Sequence, residues 1–133
     1  MVPTSAEGEE LQALTEIDRM IHEPARLLIL AYLYLTEAAD FVFMMRQTGL
    51  TKGNLSSHMN KLEEVGYIEV TKEFVDRKPH TLLRITNAGQ AALQTYRHNM
   101  EQVLNHLLPA LAGLKPDLIV KVEHHAPLLA PRS

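Results

Sequence analysis

Residues 51–62 combine small polar side chains with apolar residues that recur at helical spacing. If Leu55, Met59 and Leu62 point inward on a helix that turns by about 100° per residue, the polar side chains occupy its outer face and flanks. Hydroxyl and amide groups can reach base edges in the major groove of DNA, and a lysine can meet guanine or phosphate. The residues that we expect to contact double-stranded DNA are Thr51, Lys52, Asn54, Ser56, Ser57, Asn60 and Lys61. The alternative is an ordinary solvated helix face.

A second basic group lies in a polar segment, residues 75–80, between two stretches in which apolar residues alternate. The alternation predicts a β-hairpin with residues 75–80 as its tip. Arg77 and Lys78 lie in this tip, and arginine suits the negative potential of a DNA minor groove. We therefore expect both residues to contact DNA, although exposed turns are polar for general reasons as well.

His58 offers a third kind of chemistry. It lies about 70° from the apolar centre of its helix, where it either touches a phosphate or braces neighbouring helices. It does not form a catalytic pair with Ser57, because consecutive helical side chains point about 100° apart. No set of serine, histidine and acid indicates a nucleophile, so the sequence predicts no catalytic residues and no enzyme.

The distribution of charge favours a nucleic-acid partner more than the total does. The 133 residues have a formal net charge of -3, whereas nucleic-acid binders are usually basic. However, residues 46–98 hold 8 Lys and Arg against 5 Asp and Glu, and residues 1–45 hold 2 against 8. A basic middle can face phosphates while an acidic start serves a partner or solubility, although chance segregation would give the same counts.

The composition also indicates the cellular compartment. The chain has no cysteine, so it has no disulfides and no thiolate metal site or nucleophile. The first residues lack both a basic n-region and an apolar run, and no apolar segment reaches the roughly 18 residues of a membrane span. We therefore expect a cytoplasmic protein with no membrane partner and no cofactor.

Two short predicted helices form the centre of the chain. Asp40 is a good N-cap for the first, which ends where Gly49 can take the left-handed conformation. Thr51 caps the second, which carries the polar face and stops at Gly66. Two short helices joined by a tight glycine turn have the layout of a helix-turn-helix.

Longer helices flank this centre. An amphipathic helix is predicted with an apolar stripe from Leu11 to Ile21. Pro24 opens a helix that is apolar almost all round and therefore buried. After the hairpin, Thr86 or Asn87 caps a long helix that ends near Pro109. The apolar stripes of the first and last helices exceed what one small domain can cover, so we expect them to pair between two subunits.

Four segments resemble short prokaryotic winged helix-turn-helix regulators of the MarR and ArsR groups. Residues 17–27 are similar to their opening helix, residues 49–59 to their recognition helix, residues 61–68 to the join with the wing, and residues 83–89 to the strand before the last helix. The resemblance implies an α+β fold that is mainly α with a small β-hairpin wing. This fold is a winged helix-turn-helix with extra N- and C-terminal dimerisation helices.

The resemblance further implies a homodimeric transcriptional regulator. Residues 1–14 would form an acidic lead and the start of the first helix, residues 15–108 the winged domain with its long C-terminal dimerisation helix, and residues 109–133 a tail. A two-fold axis would set two recognition helices about one DNA turn apart. We therefore expect sequence-specific binding to a pseudo-palindromic operator and repression by occlusion.

One alternative within the family is a metal-responsive sensor of the ArsR type. His98, Glu101 and His106 lie on the last helix, but His98 and His106 are roughly 12 Å apart along its axis, too far for one ion. Only an antiparallel partner helix could bring His98 near His106 of the other subunit. The Asp-x-His start of that family's site is also missing at residues 85–87. We therefore predict no metal ligands, and the role of His124 and His125 in the tail stays open.

Two further alternatives concern partners. A winged helix can serve as a protein-interaction module without DNA binding, with the acidic first third as its contact surface. Such a module needs neither small polar residues facing outward nor a basic wing tip. A small-molecule effector could bind beside the central helix, where Tyr34, Phe43 and Met100 would line a pocket, although apolar residues at helical spacing are usually core.

Overall fold

The computed structural model of the chain describes residues 11–114. The first described element is a 3-10 helix at Ala13–Glu16. The others are, in chain order, α1 (Pro24–Thr36), β1 (Ala38–Asp40), α2 (Phe41–Thr48), α3 (Lys52–Glu64), β2 (Ile68–Val75), β3 (Lys78–Ile85) and α4 (Asn87–Leu114). A mainly helical chain with a small antiparallel sheet confirms the predicted fold class.

Contacts between residues divide the described chain into two compact units. The core unit comprises Ile17–His98, and the terminal unit comprises residues 11–16 together with residues 99–114. The elements from α1 to β3 lie in the core unit, whereas α4 contributes to both units. Residues 1–10 of the predicted lead and residues 115–133 of the predicted tail lie outside the described residues.

The two short helices begin where a side chain accepts a hydrogen bond from a free backbone N–H. Asp40 accepts from the N–H three residues on at 2.7 Å, and Thr51 does the same at 3.2 Å. Gly49 ends α2 in the left-handed conformation, with a φ of 70°. The predicted caps and the tight turn of the helix-turn-helix are therefore confirmed.

One face of each helix in the core unit enters a common hydrophobic core. The buried residues of this core are Ile21, Ile29, Leu30, Leu33, Ala39, Met44, Leu55, Met59, Leu62, Ile68, Leu83 and Ile85. The expectation that α1 is buried almost all round is wrong, because Leu35 is 80 % exposed and Leu28 and Tyr34 are exposed as well. α1 therefore packs through one face, like the other helices.

The sheet has the strand order β1-β3-β2, and its neighbouring strands are antiparallel. β2 and β3 pair over their full lengths, from Ile68 with Ile85 to Val75 with Lys78. The predicted tip at residues 75–80 is therefore too long, because cross-strand pairing leaves a turn of only two residues. β1, which the sequence did not predict, pairs with β3 and adds a third strand.

The helix that was predicted to run to Ile21 ends at Glu16. Asp18 explains the interruption, since its Oδ1 accepts from the backbone N–H groups two and three residues on, at 2.8 and 3.4 Å, and such local bonds compete with a helix. Ile17 and Ile21 are buried within the chain. The expectation that the whole stripe from Leu11 to Ile21 faces a second subunit is therefore wrong for these two residues.

α4 begins as predicted, where Thr86 Oγ1 accepts from the backbone N–H of Gly89 at 3.0 Å. It does not end near Pro109 but continues to Leu114. Proline removes one hydrogen bond from the helix interior, yet the surrounding leucines and alanines are strong helix formers, so the helix resumes. Despite its length, neither α4 nor another helix of residues 11–114 is apolar enough to cross a membrane.

Gly89 brings the first turn of α4 directly against the base of the hairpin. A Cβ at this position would lie 2.2 Å from the backbone oxygen of Tyr67 and 3.0 Å from Ile85 Cγ1. Because the nearer atom belongs to the backbone, a change of rotamer cannot make room for it. The position therefore requires glycine for packing.

Gly89→Ala should lower the free energy of unfolding by about 1 to 3 kcal/mol, because an overpacked site forces the backbone to shift. Urea unfolding followed by circular dichroism measures this change. Gly113→Ala is the matched control, since a Cβ there meets no atom within 4 Å and alanine is the better helix former. Equal stability changes in the two variants would contradict the close contact at Gly89.

Candidate nucleic-acid interface

α3 is held on the core by one apolar face, as its spacing predicts. Leu55 and Leu62 are fully buried and Met59 is nearly so. Of the seven residues predicted to contact DNA on this segment, Ser56 is half-buried at the flank. The other six are exposed: Thr51, Lys52, Asn54, Ser57, Asn60 and Lys61. The helix therefore presents these polar side chains on one accessible surface, with Ser56 at its edge.

Gly53 lies in the first turn of α3, on the exposed side. Glycine stabilises a helix less than alanine does, by up to roughly 1 kcal/mol. The φ of Gly53 is not positive, and a Cβ there would meet no atom within 4 Å. Nothing in the described part of the chain requires glycine at this position. Its absent side chain leaves the backbone of α3 open to close approach from outside.

His58 is directed toward the start of α1. Its Nδ1 lies 3.3 Å from Arg26 Nη1 and 3.6 Å from Glu23 Oε2. Arg26 Nε also donates to the backbone oxygen of Met20 at 2.7 Å. Of the two roles considered for His58, these contacts support bracing of α3 against α1.

Glu23 is the N-cap of α1 and completes this brace. Its carboxylate accepts from the backbone N–H groups of Arg26 at 2.8 Å and Ala25 at 3.1 Å. Burial opposes ionisation, but these hydrogen bonds and the charges of His58 and Arg26 outweigh it, so the pKa of Glu23 is lower than usual. Glu23 is therefore an anion at the N-terminus of α1, where the helix dipole favours negative charge.

The turn between β2 and β3 consists of Asp76 and Arg77, with φ angles of 52° and 67°. Positive φ at both central residues is what a two-residue type I′ turn requires, and glycine or asparagine usually supplies it. Arginine in this conformation costs about 1 to 2 kcal/mol. Arg77 is exposed in the turn, and Lys78 follows as the first residue of β3. The two basic residues thus lie together at the far end of the hairpin.

Comparison of sequences relates this geometry to known proteins. The sequence model described as a winged helix DNA-binding domain matches residues 25–104. The chain belongs to this family. An uncharacterised protein of Methanocaldococcus jannaschii is 33% identical to the chain over 89 residues, which are 67% of this winged helix chain and 97% of that protein.

Solved structures share the winged helix fold. A transcriptional regulator homologue from Pyrococcus horikoshii superposes with a TM-score of 0.68 at 30% identity and covers 74% of this chain and 97% of its own. A structure of MarR gives 0.61 at 18% identity, covering 96% and 88%. The PcaV regulator from Streptomyces coelicolor gives 0.60 at 16%, covering 93% of each chain. The comparisons confirm the resemblance to short prokaryotic winged-helix regulators and support a DNA-binding transcriptional regulator.

A hydrogen-bonded junction connects the wing to α3 in this winged helix. Tyr67, which follows the turn at Gly66, donates its hydroxyl hydrogen bond to Asp18. The backbone oxygen of Tyr67 accepts from the N–H of Thr86 at 3.0 Å, and Thr86 Oγ1 donates to the backbone oxygen of Gly66 at 2.6 Å. The bond to Asp18, followed by burial and the charge of Asp18, raises the pKa of Tyr67 to about 12. The end of α3, the base of the wing and the start of α4 therefore meet at Tyr67.

The sequence predicted only some of the residues that position the winged helix interface, and Glu23, Arg26 and Tyr67 were missed. Glu23 gave a usable signal, because an acid before Pro24 is typical of a helix start. Arg26 and Tyr67 gave none, since their partners are distant in sequence. Phe74, exposed beside the wing tip, was also missed, because alternation alone does not show where a strand leaves the core.

The histidines considered for a metal site are divided between the two units. His98 belongs to the core unit, and Glu101 and His106 belong to the terminal unit. Residues 11–114 contain no group of three or more histidine and acidic side chains arranged to hold one ion. His124 and His125 lie outside the described residues.

The residues considered for an effector pocket also lie in both units. Tyr34 and Phe43 are exposed in the core unit, and Met100 is half-buried in the terminal unit. Tyr34 Oη accepts from Gln94 Nε2 at 3.1 Å. The effector pocket stays a prediction from the sequence.

Tyr67→Phe should lower the free energy of unfolding by about 2 kcal/mol near neutral pH, because a hydrogen bond to a carboxylate is lost. The fold favours the protonated phenol, so its contribution is complete below pH 10.0 and is lost as the pH rises toward about 12. Wild type should therefore lose stability across this range, and the variant should lose much less. Urea unfolding from about pH 8 to about pH 12 measures both effects.

Tyr34→Phe is the control for this experiment, because it removes a phenol whose hydrogen bond to Gln94 is exposed. Its stability should stay within about 0.5 kcal/mol of wild type. An alkaline loss of stability that is the same in wild type and Tyr67→Phe would show that Tyr67 does not stabilise the junction as described.

Proposed function

We propose that the chain is a sequence-specific transcriptional regulator that binds a pseudo-palindromic operator as a homodimer and represses by occlusion. The observation that carries the proposal is the exposed polar face of α3, opposite its three buried apolar residues. The basic tip of the adjacent hairpin and the match to a winged helix DNA-binding domain support it.

The N-terminal part of α3 lies in the major groove and reads bases. The groove is about 12 Å wide and admits one helix. Asn54, Ser57 and Asn60 carry amide and hydroxyl groups that pair with base edges, and Ser56 contributes from the flank. Gly53 allows the helix backbone to approach the floor of the groove. Because these side chains are short and uncharged, they act on DNA through direct contact with the bases and not through long-range electrostatic attraction.

Phosphates are bound on both sides of this contact. Thr51, Lys52 and the free N–H groups of the first turn of α3 form a site that favours an anion. Lys61 contacts guanine or phosphate from the other end of the same face. At the wing, Arg77 enters the minor groove and Lys78 lies on the backbone. These charges supply the salt-dependent part of the affinity.

The terminal unit supplies the dimer interface. Six of its leucines leave between 38 % and 57 % of their surface exposed: Leu11, Leu14, Leu104, Leu107, Leu108 and Leu111. Ala13 and Val103 of the same unit are buried, so these leucines are what remains for a partner. Removing them from water favours association at roughly 25 cal/mol per Å². A second copy related by a two-fold axis would place two α3 helices on half-sites about one DNA turn apart.

Wild type should prefer DNA from upstream of its own gene over a scrambled duplex of equal length. Fluorescence anisotropy with labelled duplexes measures both affinities at low and moderate salt. Specific regulators bind their sites roughly a thousandfold or more tightly than other DNA. Both affinities should fall as salt rises, because bound phosphates release counterions.

Three variants in the same assay separate base contacts from phosphate contacts. Asn60→Ala should weaken binding to the upstream duplex by about 1 to 3 kcal/mol and leave the scrambled duplex unchanged. Arg77→Asn places in the turn a residue that tolerates positive φ. It should weaken binding to both duplexes and reduce the slope of log affinity against log salt concentration by about 1. Gly53→Ala should stabilise the fold slightly and still weaken binding, because its Cβ would lie between α3 and the groove.

Asn87→Ala and Arg84→Asn are the matched controls. Asn87 is exposed in the first turn of α4, and Arg84 is exposed in β3 away from the tip. Both variants should bind like wild type. Equal affinity of wild type for the two duplexes, together with normal binding by Arg77→Asn, would favour a protein-interaction module instead.

The mass in solution should be twice 15.0 kDa at micromolar concentration, as measured by light scattering. Introducing Leu107→Glu and Leu111→Glu together should give a monomer, because two charges would be buried without partners. Gln102→Glu, exposed on the same helix, should leave the dimer intact. A monomeric wild type would contradict the proposed assembly while leaving DNA contact by α3 to be judged by anisotropy.

A further inference from the structure

Phe74 is the most exposed aromatic side chain in the described part of the chain, at 78 %. It lies two residues before the wing turn, and its cross-strand partner is Pro79. Side chains alternate between the faces of a strand, and the register therefore assigns both residues to the face of the hairpin that carries Ile68 and Ile85. An apolar pair thus extends this face beyond the core, almost to the tip.

We propose that Phe74 and Pro79 contact the deoxyribose edges of a DNA minor groove beside Arg77. This inference rests on the proposed function and adds an apolar contact to it. Proteins that bind minor grooves use phenylalanine and proline as apolar contacts there. A two-stranded ribbon with its side chains is wider than a minor groove of about 6 Å, so only the two-residue turn, with Arg77, enters the groove. The side chains next to the turn then meet the sugars at the mouth of the groove.

The charges around the apolar pair match a partner lined with phosphates. Lys72 lies on the same face of the hairpin, one residue pair closer to the core, and Arg77 lies beyond it in the turn. Lys78 pairs with Val75 and therefore belongs to the opposite face. Glu73 belongs to the opposite face by strand alternation. Asp76 is the remaining acidic residue of this region. A ring between two cations fits the alternation of sugar and phosphate along one DNA strand.

A second copy of the chain is the other candidate occupant of this surface. The cations that border Phe74 would approach the same cations of a partner across a symmetric contact, and like charges repel. The exposed leucines of the terminal unit offer a larger apolar surface with fewer charges for self-association. The wing pair is therefore assigned to DNA.

Phe74→Ala tests the contact by affinity. It should weaken binding to the upstream duplex roughly tenfold, because part of an aromatic side chain is no longer buried. The slope of affinity against salt should not change, since no charge is removed. Val75→Ala is the control, as Val75 lies on the opposite face of the same hairpin and is also exposed. Its affinity should equal that of wild type.

Phe74→Trp tests the same contact by fluorescence. The chain has no tryptophan, so excitation at a wavelength that tyrosine does not absorb selects the emission of the new residue. Adding the upstream duplex should shift its emission to shorter wavelength as water is displaced. Raising the protein concentration without DNA should not shift it.

The outcomes separate this inference from the proposed function. Normal affinity of Phe74→Ala, or no emission shift while anisotropy reports bound DNA, overturns the inference and leaves the DNA-binding regulator intact. An emission shift that follows protein concentration alone assigns the pair to a second copy and also overturns it. Failure of wild type to bind any duplex removes the proposed function, and the inference fails with it.

Discussion

α3 is attached to the rest of the chain by three buried side chains, Leu55, Met59 and Leu62, and this narrow attachment determines what the rest of the helix can do. A helix of 13 residues held by three inward positions leaves most of its surface free. None of the three buried side chains lies at an end of α3, so additional contacts hold the ends of the helix. Thr51 caps one end, and the junction at Tyr67 holds the other. Apart from Thr51, the outer face therefore takes no part in holding the helix in place, and its residues are available to a partner.

The features that sequence predicted are those that local chemistry determines. Caps at Asp40 and Thr51 act within three residues, so they can be read without knowledge of the fold. The same holds for the apolar spacing of α3, because a helix imposes one period along its whole length. The accessible face of the candidate interface was thus predictable residue by residue, with Ser56 at its margin. That these residues touch DNA stays a prediction.

The features that sequence did not predict depend on partners far along the chain. β1 has three residues, too few to show alternation, and exists because β3 supplies its hydrogen bonds. The first helix ends early because Asp18 bonds backbone groups nearby and also the hydroxyl of Tyr67, 49 residues away. Pro79 indicated a turn, yet full pairing of β2 with β3 includes it in a strand. In each case tertiary contact outweighs a local preference.

Three features that break local rules in this chain occur on the surfaces proposed to contact DNA. Gly53 weakens a helix in which nothing nearby requires glycine, and Arg77 adopts a conformation that favours glycine or asparagine. Phe74 exposes an aromatic ring on a strand that has already left the core. Each feature lowers the stability of the isolated chain, as do the positive φ of Glu37 at the end of α1 and Pro109 inside α4, which lie on neither surface. Such local costs persist where function opposes folding. Three of these costs lie on exposed positions of α3 and the wing, which supports a common external partner for both elements.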